Sequence, residues 1–182
     1  MTAEAAAPKL EAALIVEVPQ AEDLVGTFRV KYDSSAAVGV PAHITINYPF
    51  LPGVASEGPP ADRLRALFAR FPAADFVLAE VRRWPDVLYL APEPADRFTR
   101  LIDAVVREFP ESPPYGGVFA EVIPHLTVAE TDDAALLDRV TDEFRLAARG
   151  RLPVSARLEQ VVLIDNRGGR WHTVMRFPLS AG

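Results

Sequence analysis

The sequence predicts an α+β fold in which most of the sheet is antiparallel. Short alternating or apolar runs, typical of strands, are mixed with segments of helical periodicity. The two kinds of segment do not follow strict strand–helix–strand repeats, which argues against a parallel sheet. No linker divides the 182 residues. We therefore expect one domain over residues 12–180, preceded by a disordered N-terminal tail over residues 1–11.

The first half of the chain predicts two strands and two helices. Residues 12–18 form a short, mostly apolar run that indicates a buried strand, and residues 21–32 carry apolar side chains at helical spacing. Residues 42–50 alternate like a strand and end near Pro49. After a Pro/Gly-rich loop over residues 51–60, Asp62 is expected to cap a helix that reaches about residue 71.

The second half predicts further strands, two helices and a terminal hairpin. Two strands, 75–84 and 86–91, flank Pro85, and a helix follows over residues 94–109. The pattern then indicates a loop over 111–118, a strand over 119–129 that contains Pro124, a helix over about 131–148, and a hairpin of residues 152–165 and 171–179.

Composition and charge exclude several kinds of chemistry. The chain has no cysteine, which removes disulfides, thiolate nucleophiles and cysteine-bound zinc. A net charge of -6 argues against a long nucleic-acid track, although it is compatible with a small anionic ligand in a locally basic cleft. No apolar run approaches the roughly 20 residues that cross a bilayer. A cytoplasmic protein without membrane contact is expected, and nothing in the sequence points beyond a monomer.

One short pattern occurs twice, at residues 41–46 (PAHITI) and 124–128 (PHLTV). Side chains alternate across a strand, so His43 and Thr45 share one face, and His125 and Thr127 share another. The intervening aliphatic residues point to the core. With three histidines and eight threonines in the chain, two such pairs arise by chance in fewer than about 1% of cases. The repeat predicts two pseudo-symmetric halves.

Paired histidines and threonines fit the cleavage of a phosphodiester. A base must activate water and an acid must protonate the leaving oxygen, and histidine can do either near neutral pH. Threonine hydroxyls can donate to the non-bridging oxygens of the phosphate. The competing interpretation is that both motifs are ordinary strand residues whose polar faces meet solvent. A three-histidine zinc site finds little support, because each strand supplies only one histidine.

The two motifs resemble those of the 2H phosphoesterases, a family defined by two His-x-(Ser/Thr) motifs. The resemblance rests on PAHITINYPF at residues 41–50, EVIPHLTVAE at residues 121–130 and the interval of 82 residues between the two histidines. The C-terminal WHTVMRFPL is also similar. Within the family, the chain looks most like the bacterial proteins called 2'-5' RNA ligase or RNA 2',3'-cyclic phosphodiesterase.

The resemblance implies two pseudo-symmetric α+β lobes around a central cleft, with helices outside. It implies that His43 and His125 are catalytic, that Thr45 and Thr127 bind phosphate, and that no metal or other cofactor takes part. The implied reaction opens a 2',3'-cyclic phosphate, on a nucleotide or an RNA end, to a 2'-phosphate. His43 would protonate the 3' oxygen and His125 would activate water. Two alternatives stay open: 2'-5' ligation of RNA ends, and a non-catalytic module that binds nucleotides.

Other residues are weaker candidates. Tyr115 and Tyr48, and after them Phe50 and Trp84, could stack on a base, although ordinary packing is the commoner reason for an aromatic residue at such positions. His172 precedes Thr173 directly and so does not form a third motif. Three arginines on predicted strands could reach phosphate but are expected to be solvated: Arg82, Arg83 and Arg176.

Overall fold

A computed structural model of the chain describes residues 9–54, 57–119 and 121–182. The strands in this part are β1 (Ala12–Glu17), β2 (His43–Phe50), β3 (Ala74–Arg83), β4 (Val87–Glu93), β5 (Leu126–Glu130), β6 (Val154–Leu158), β7 (Gln160–Asp165) and β8 (His172–Pro178). The α-helices are α1 (Glu22–Tyr32), α2 (Ser34–Ala37), α3 (Pro59–Phe68), α4 (Asp96–Glu108) and α5 (Ala134–Ala147).

The strands form two four-stranded sheets, one in each lobe. Their orders are β2–β1–β7–β8 and β5–β4–β3–β6, and each neighbouring pair is antiparallel. The predicted α+β fold with two lobes of antiparallel sheet is therefore confirmed. β2 and β5, which carry the two motifs, are each the edge strand of their sheet.

Helices bring these two edge strands together. α1 lies against β5, and α4 lies against β2, so each motif strand contacts a helix from elsewhere in the chain. β2 and β5 also contact each other directly. The two motifs thus face a common space between the lobes, although they are far apart in sequence.

Most buried side chains belong to one core that draws on both sheets. β1 is apolar on both faces for a structural reason. Leu14 and Val16 enter this main core, whereas Ala13 and Ile15 join a small second cluster with Val40, Val162 and Ile164. This second cluster lies on the opposite face of the first sheet, towards the space between the lobes.

The helix expected to start after Asp62 begins earlier, so that prediction is wrong. α3 starts at Pro59, and prolines occupy its first positions, where the missing N–H groups have no helical partner to lose. Asp62 lies in the first turn and forms an ion pair with Arg65 at 2.7 Å. The predicted loop before this helix includes residues 55–56, which lie outside the described residues.

Two predicted strands have different bounds. In the segment 119–129, strand structure begins only at Leu126, since Pro124 has no amide hydrogen for a ladder and restricts the residue before it. The segment 152–165 contains two strands, because β6 pairs with β3 in one sheet and β7 pairs with β1 in the other. The terminal hairpin of β7 and β8 is confirmed.

The start of the chain is described only from Lys9. The Lys9 carbonyl accepts a hydrogen bond from the Asn166 side chain, and the Glu11 amide donates to the same side chain at 2.8 Å. Residues 1–8 of the expected tail lie outside the described residues, so the domain boundary stays a prediction. Among the described helices, none is both long and apolar enough to cross a bilayer.

Candidate active site

The two motifs line one cavity of about 930 Å³ between the lobes. His43 and Thr45 come from β2, Thr127 comes from β5, and His125 directly precedes β5. This volume is within the range of about 300–1,000 Å³ that is typical of small-molecule sites. The structure thus brings together the four residues that the sequence singles out, and their catalytic roles remain a prediction.

Strand alternation positions these side chains. Ile44, Ile46, Leu126 and Val128 have no exposed surface and belong to the main core. Their neighbours at the intervening positions are then forced towards the cavity, since successive side chains point to opposite faces of a strand. The division into core-facing and cavity-facing residues is as predicted.

Both histidine rings are held in the same way. Nδ1 of His43 lies 2.8 Å from the Pro41 carbonyl oxygen, and Nδ1 of His125 lies 2.8 Å from the Ile123 carbonyl oxygen. A carbonyl can only accept, so Nδ1 of each ring must carry a proton and donate it. In the neutral ring, Nε2 is therefore the unprotonated nitrogen. Each Nε2 can accept a proton from a ligand, and in the charged ring it can donate one.

The surroundings keep both histidines neutral. Burial, aided by the charge of the Arg29 guanidinium, lowers the pKa of His43 to about 4. Burial also lowers the pKa of His125. A charge on His125 would lower the pKa of His43 further. A bound anion would oppose these effects and favour a proton on one of the rings.

The lowered pKa of His43 predicts how stability depends on pH. Between about pH 6.5 and pH 4, the unfolded chain protonates this histidine while the folded protein does not, so the free energy of unfolding falls as the pH is lowered. We expect His43→Gln to flatten this part of the stability profile, measured by denaturant unfolding. The exposed change His172→Gln is the control. Parallel profiles for the wild type and His43→Gln would contradict the prediction.

Aromatic rings fix the orientation of His125. Trp84 contacts its ring edge-on, with centroids 4.7 Å apart, and Tyr89 does so at 5.5 Å. Trp84 and Tyr89 also contact each other at 4.3 Å. Together with the bond to the Ile123 carbonyl, these contacts leave the imidazole little rotational freedom. Tyr89 was not expected at the site, because it lies in an apolar run that is typical of core.

Tyr115 and Tyr48, predicted to stack on a base, both line the cavity. The Tyr115 hydroxyl forms a hydrogen bond with the Thr45 side chain, and burial raises the pKa of Tyr115. Its backbone is left-handed, with φ of 51°, in a turn completed by two glycines. Tyr48 donates to a Glu11 carboxylate oxygen at 2.9 Å and contacts Trp171 edge-on. Burial, with Glu11, raises its pKa to about 12.

The weaker candidates lie elsewhere, except for Trp84. Phe50 is buried against Phe109, with ring centroids 5.2 Å apart. His172 is exposed on β8 and does not line the cavity. The three arginines form ion pairs outside it: Arg82 with Glu80 at 2.6 Å, Arg83 with Asp138, and Arg176 with Glu17 at 2.6 Å.

The sequence analysis missed a buried ion pair beside His43. Arg29, at the end of α1, is 2% exposed, and its Nε donates to Asp33 at 3.0 Å. The same guanidinium donates to the Ser35 hydroxyl and to the Val40 carbonyl, each at 3.2 Å. Asp33 also caps α2 by accepting from the Ser35 amide at 2.9 Å. The Asp-Ser-Ser sequence signals this cap, but nothing local signals that the arginine is buried.

The fold is similar to that of several solved structures. Escherichia coli LigT complexed with NADP+ matches with a TM-score of 0.58 and 18% identity, over 96% of this chain and 99% of LigT. LigT complexed with 3'-AMP matches with a TM-score of 0.58 and 17% identity, over 93% of this chain and 97% of LigT. The protein TT0787 of Thermus thermophilus matches with a TM-score of 0.53 and 17% identity, over 94% of this chain and 98% of TT0787. At these identities, the matches show the fold alone.

A sequence model of the 2'-5' RNA ligase superfamily matches residues 16–170. This range covers most of the chain and includes both histidine motifs. A search of curated proteins gives no match. The predicted family is thus confirmed by the match along most of the sequence, and the chain belongs to the 2'-5' RNA ligase superfamily of 2H phosphoesterases.

Proposed function

We propose that this protein hydrolyses a 2',3'-cyclic phosphate to a 2'-phosphate without a metal ion. The observation that carries the proposal is the matched pair of histidines. Each sits on an edge strand or directly before one, binds a carbonyl two residues earlier through Nδ1, and lines the same cavity as a threonine two residues later. Two such groups on opposite sides of a phosphorus would supply one base and one acid.

The proposed reaction needs one proton transfer at each histidine: one ring accepts a proton and the other donates one. His125 takes a proton from water through Nε2, and the water oxygen bonds to phosphorus. The bond from phosphorus to the 3' oxygen breaks, and His43 donates a proton to that oxygen. Thr45 and Thr127 donate hydrogen bonds to the non-bridging oxygens, where negative charge develops. The product keeps its phosphate on the 2' oxygen.

One observation favours the opposite assignment of the two histidines. A pKa of about 4 leaves Nε2 of His43 unprotonated at neutral pH, which suits a base better than an acid. The assignment of His43 as donor requires the anionic substrate to raise this pKa on binding. The reversed assignment has His43 activate water and His125 protonate the leaving oxygen. Both assignments use the same four residues.

The test is hydrolysis by protein from which metals have been removed with EDTA. Purified protein is incubated with each nucleoside 2',3'-cyclic phosphate, and the products are separated as 2'- and 3'-phosphates. We expect turnover to the 2'-phosphate and no loss of rate on EDTA treatment. A 3'-phosphate product would overturn the proposed leaving oxygen, and a rate restored only by added metal would overturn the metal-free mechanism.

The two alternatives have distinct signatures in the same assay. Ligation replaces water with the 5'-hydroxyl of a second RNA end, so it would give a 2'-5' linkage when such an end is added. LigT has been solved in complex with NADP+ and with 3'-AMP, and nucleotide binding by a protein of this fold supports a binding module as the second alternative. Such a module would bind the cyclic nucleotide and release no product at any pH.

A further inference from the structure

The charge of the cavity is unusual for a site proposed to bind phosphate. Among the described residues that line it, none is a lysine or an arginine. Five are carboxylic acids, contributed by separate segments of both lobes: Glu11, Asp33, Asp86, Glu121 and Glu130.

The guanidinium near this cavity does not compensate for these carboxylates. Arg29 is paired with Asp33 and is also bound to Ser35 and the Val40 carbonyl, so it is buried and held in place. The pair is neutral as a unit. In the described part of the chain, the other four carboxylates have no ion-pair partner within the cavity. The raised pKa of Glu130 is consistent with this, since it follows from burial and then from Asp33, Asp86 and Asp132.

A negative cavity tolerates one phosphate better than several. The single charge of a cyclic phosphodiester would meet the two histidines and the two threonine hydroxyls. An RNA end adds one negative charge for each further nucleotide, and such charges are normally matched by lysine or arginine. Here an additional phosphate would lie near carboxylates. By contrast, the cavity lining offers aromatic rings on which a single base can stack: Tyr48, Trp84, Tyr115, Phe119 and Trp171.

We infer that the cavity selects a substrate whose cyclic phosphate is its only anionic group, namely a nucleoside 2',3'-cyclic monophosphate rather than an RNA end. This inference rests on the proposed function for the reacting group, and it adds the class of substrate. Selection arises from the repulsion of further phosphates by the carboxylates of both lobes. Stacking on the aromatic lining retains the base.

The test compares three ligands that separate charge from size. They are adenosine 2',3'-cyclic phosphate, the dinucleotide ApA with a 2',3'-cyclic end, and the same dinucleotide with an uncharged methylphosphonate linkage. At low salt, we expect kcat/KM for the charged dinucleotide to be about tenfold or more below that of the other two. Raising the ionic strength to about 0.3 M should narrow the gap, because salt screens the repulsion.

A charge variant identifies the source of the selection. Asp86→Asn/Glu121→Gln removes two cavity carboxylates and should raise kcat/KM for the charged dinucleotide several-fold relative to the mononucleotide. The control Asp103→Asn/Glu57→Gln makes the same charge change at exposed positions outside the cavity and should leave this ratio unchanged. Equal effects of the two variants would overturn the role of the cavity carboxylates.

Binding measured by calorimetry in His43→Ala separates the inference from the proposed function. If no substrate is turned over by the wild type, but the mononucleotide still binds more tightly than the charged dinucleotide, the proposed function fails and the inference holds. If kcat/KM for the charged dinucleotide equals that for the mononucleotide, the proposed function holds and the inference fails. If neither ligand binds, the inference is also overturned.

Discussion

Replacing either His43 or His125 with alanine is expected to lower kcat/KM for a cyclic phosphodiester by roughly 10²- to 10⁴-fold, since each would supply one proton transfer. The losses should not add, because an acid and a base that act in one step depend on each other. The double variant should therefore be about as slow as the slower single variant. Steady-state hydrolysis of a nucleoside 2',3'-cyclic phosphate at neutral pH gives kcat/KM for the two single variants and the double variant.

His172→Ala is the matched control, because this histidine lies exposed on β8 outside the cavity. It should retain the wild-type rate. Thermal unfolding of each variant checks that a lost rate does not reflect a lost fold. A single variant that retains near wild-type activity would exclude that histidine from the chemistry and leave a one-histidine or a binding role for the site.

A substrate with a better leaving group can identify which histidine acts as the acid. A nucleoside phosphodiester with a p-nitrophenyl leaving group needs no proton donor, because its phenolate departs unaided. The variant that lacks the acid should recover most of its rate on this substrate, whereas the variant that lacks the base should not. Recovery in His43→Ala would support His43 as donor. Recovery in His125→Ala would support the reversed assignment that the low pKa of His43 favours.

The motif strands could be predicted from the sequence because their signal is local. Apolar residues occur at every second position of a strand when one of its faces is buried. The aliphatic residues between the motif positions are fully buried, as expected. Thr45 and Thr127 could be placed beside their histidines on the same principle. The resemblance of both motifs to one family then supplied the expectation of a shared cleft.

Features that depend on distant pairing could not be predicted. The run of residues 152–165 gives no sign that β6 and β7 join different sheets, because apolar content is the same whichever strand lies alongside. The acidic lining of the cavity was also missed. Its carboxylates come from loops and strand ends that are far apart in sequence, and each alone has the composition of a solvated surface.

Arg29 illustrates the same limit for a single residue. Arginine is mostly exposed in proteins, so the residue type gives no indication that this side chain is buried. Its burial depends on Asp33, which sits at the junction of α1 and α2, and on the Val40 carbonyl beyond α2. Asp33 is only one helical turn from Arg29, but the Val40 carbonyl reaches the guanidinium because the chain reverses between α1 and β2.

An exposed ion pair provides the control for this buried one. Arg100 and Asp96 have the same spacing in α4, with atoms 2.6 Å apart, but their side chains are about 60% exposed. Arg100→Ala should cost only about 0.3–0.5 kcal/mol in the free energy of unfolding, as is usual for exposed pairs four residues apart. The difference between the costs of Arg29→Ala and Arg100→Ala in the free energy of unfolding then measures the effect of burial.

Arg29→Ala is expected to lower the free energy of unfolding by about 3–5 kcal/mol, because it leaves the Asp33 carboxylate buried without its partner. Arg29→Met/Asp33→Asn removes both charges, keeps an acceptor for the Ser35 amide, and should cost less than the single change. Denaturant unfolding measures each value. The pKa of His43, followed by NMR titration, should rise in Arg29→Ala, since the guanidinium that lowers it is gone. A cost no larger than that of Arg100→Ala, with the His43 pKa unmoved, would show that this ion pair neither stabilises the fold nor acts on the site.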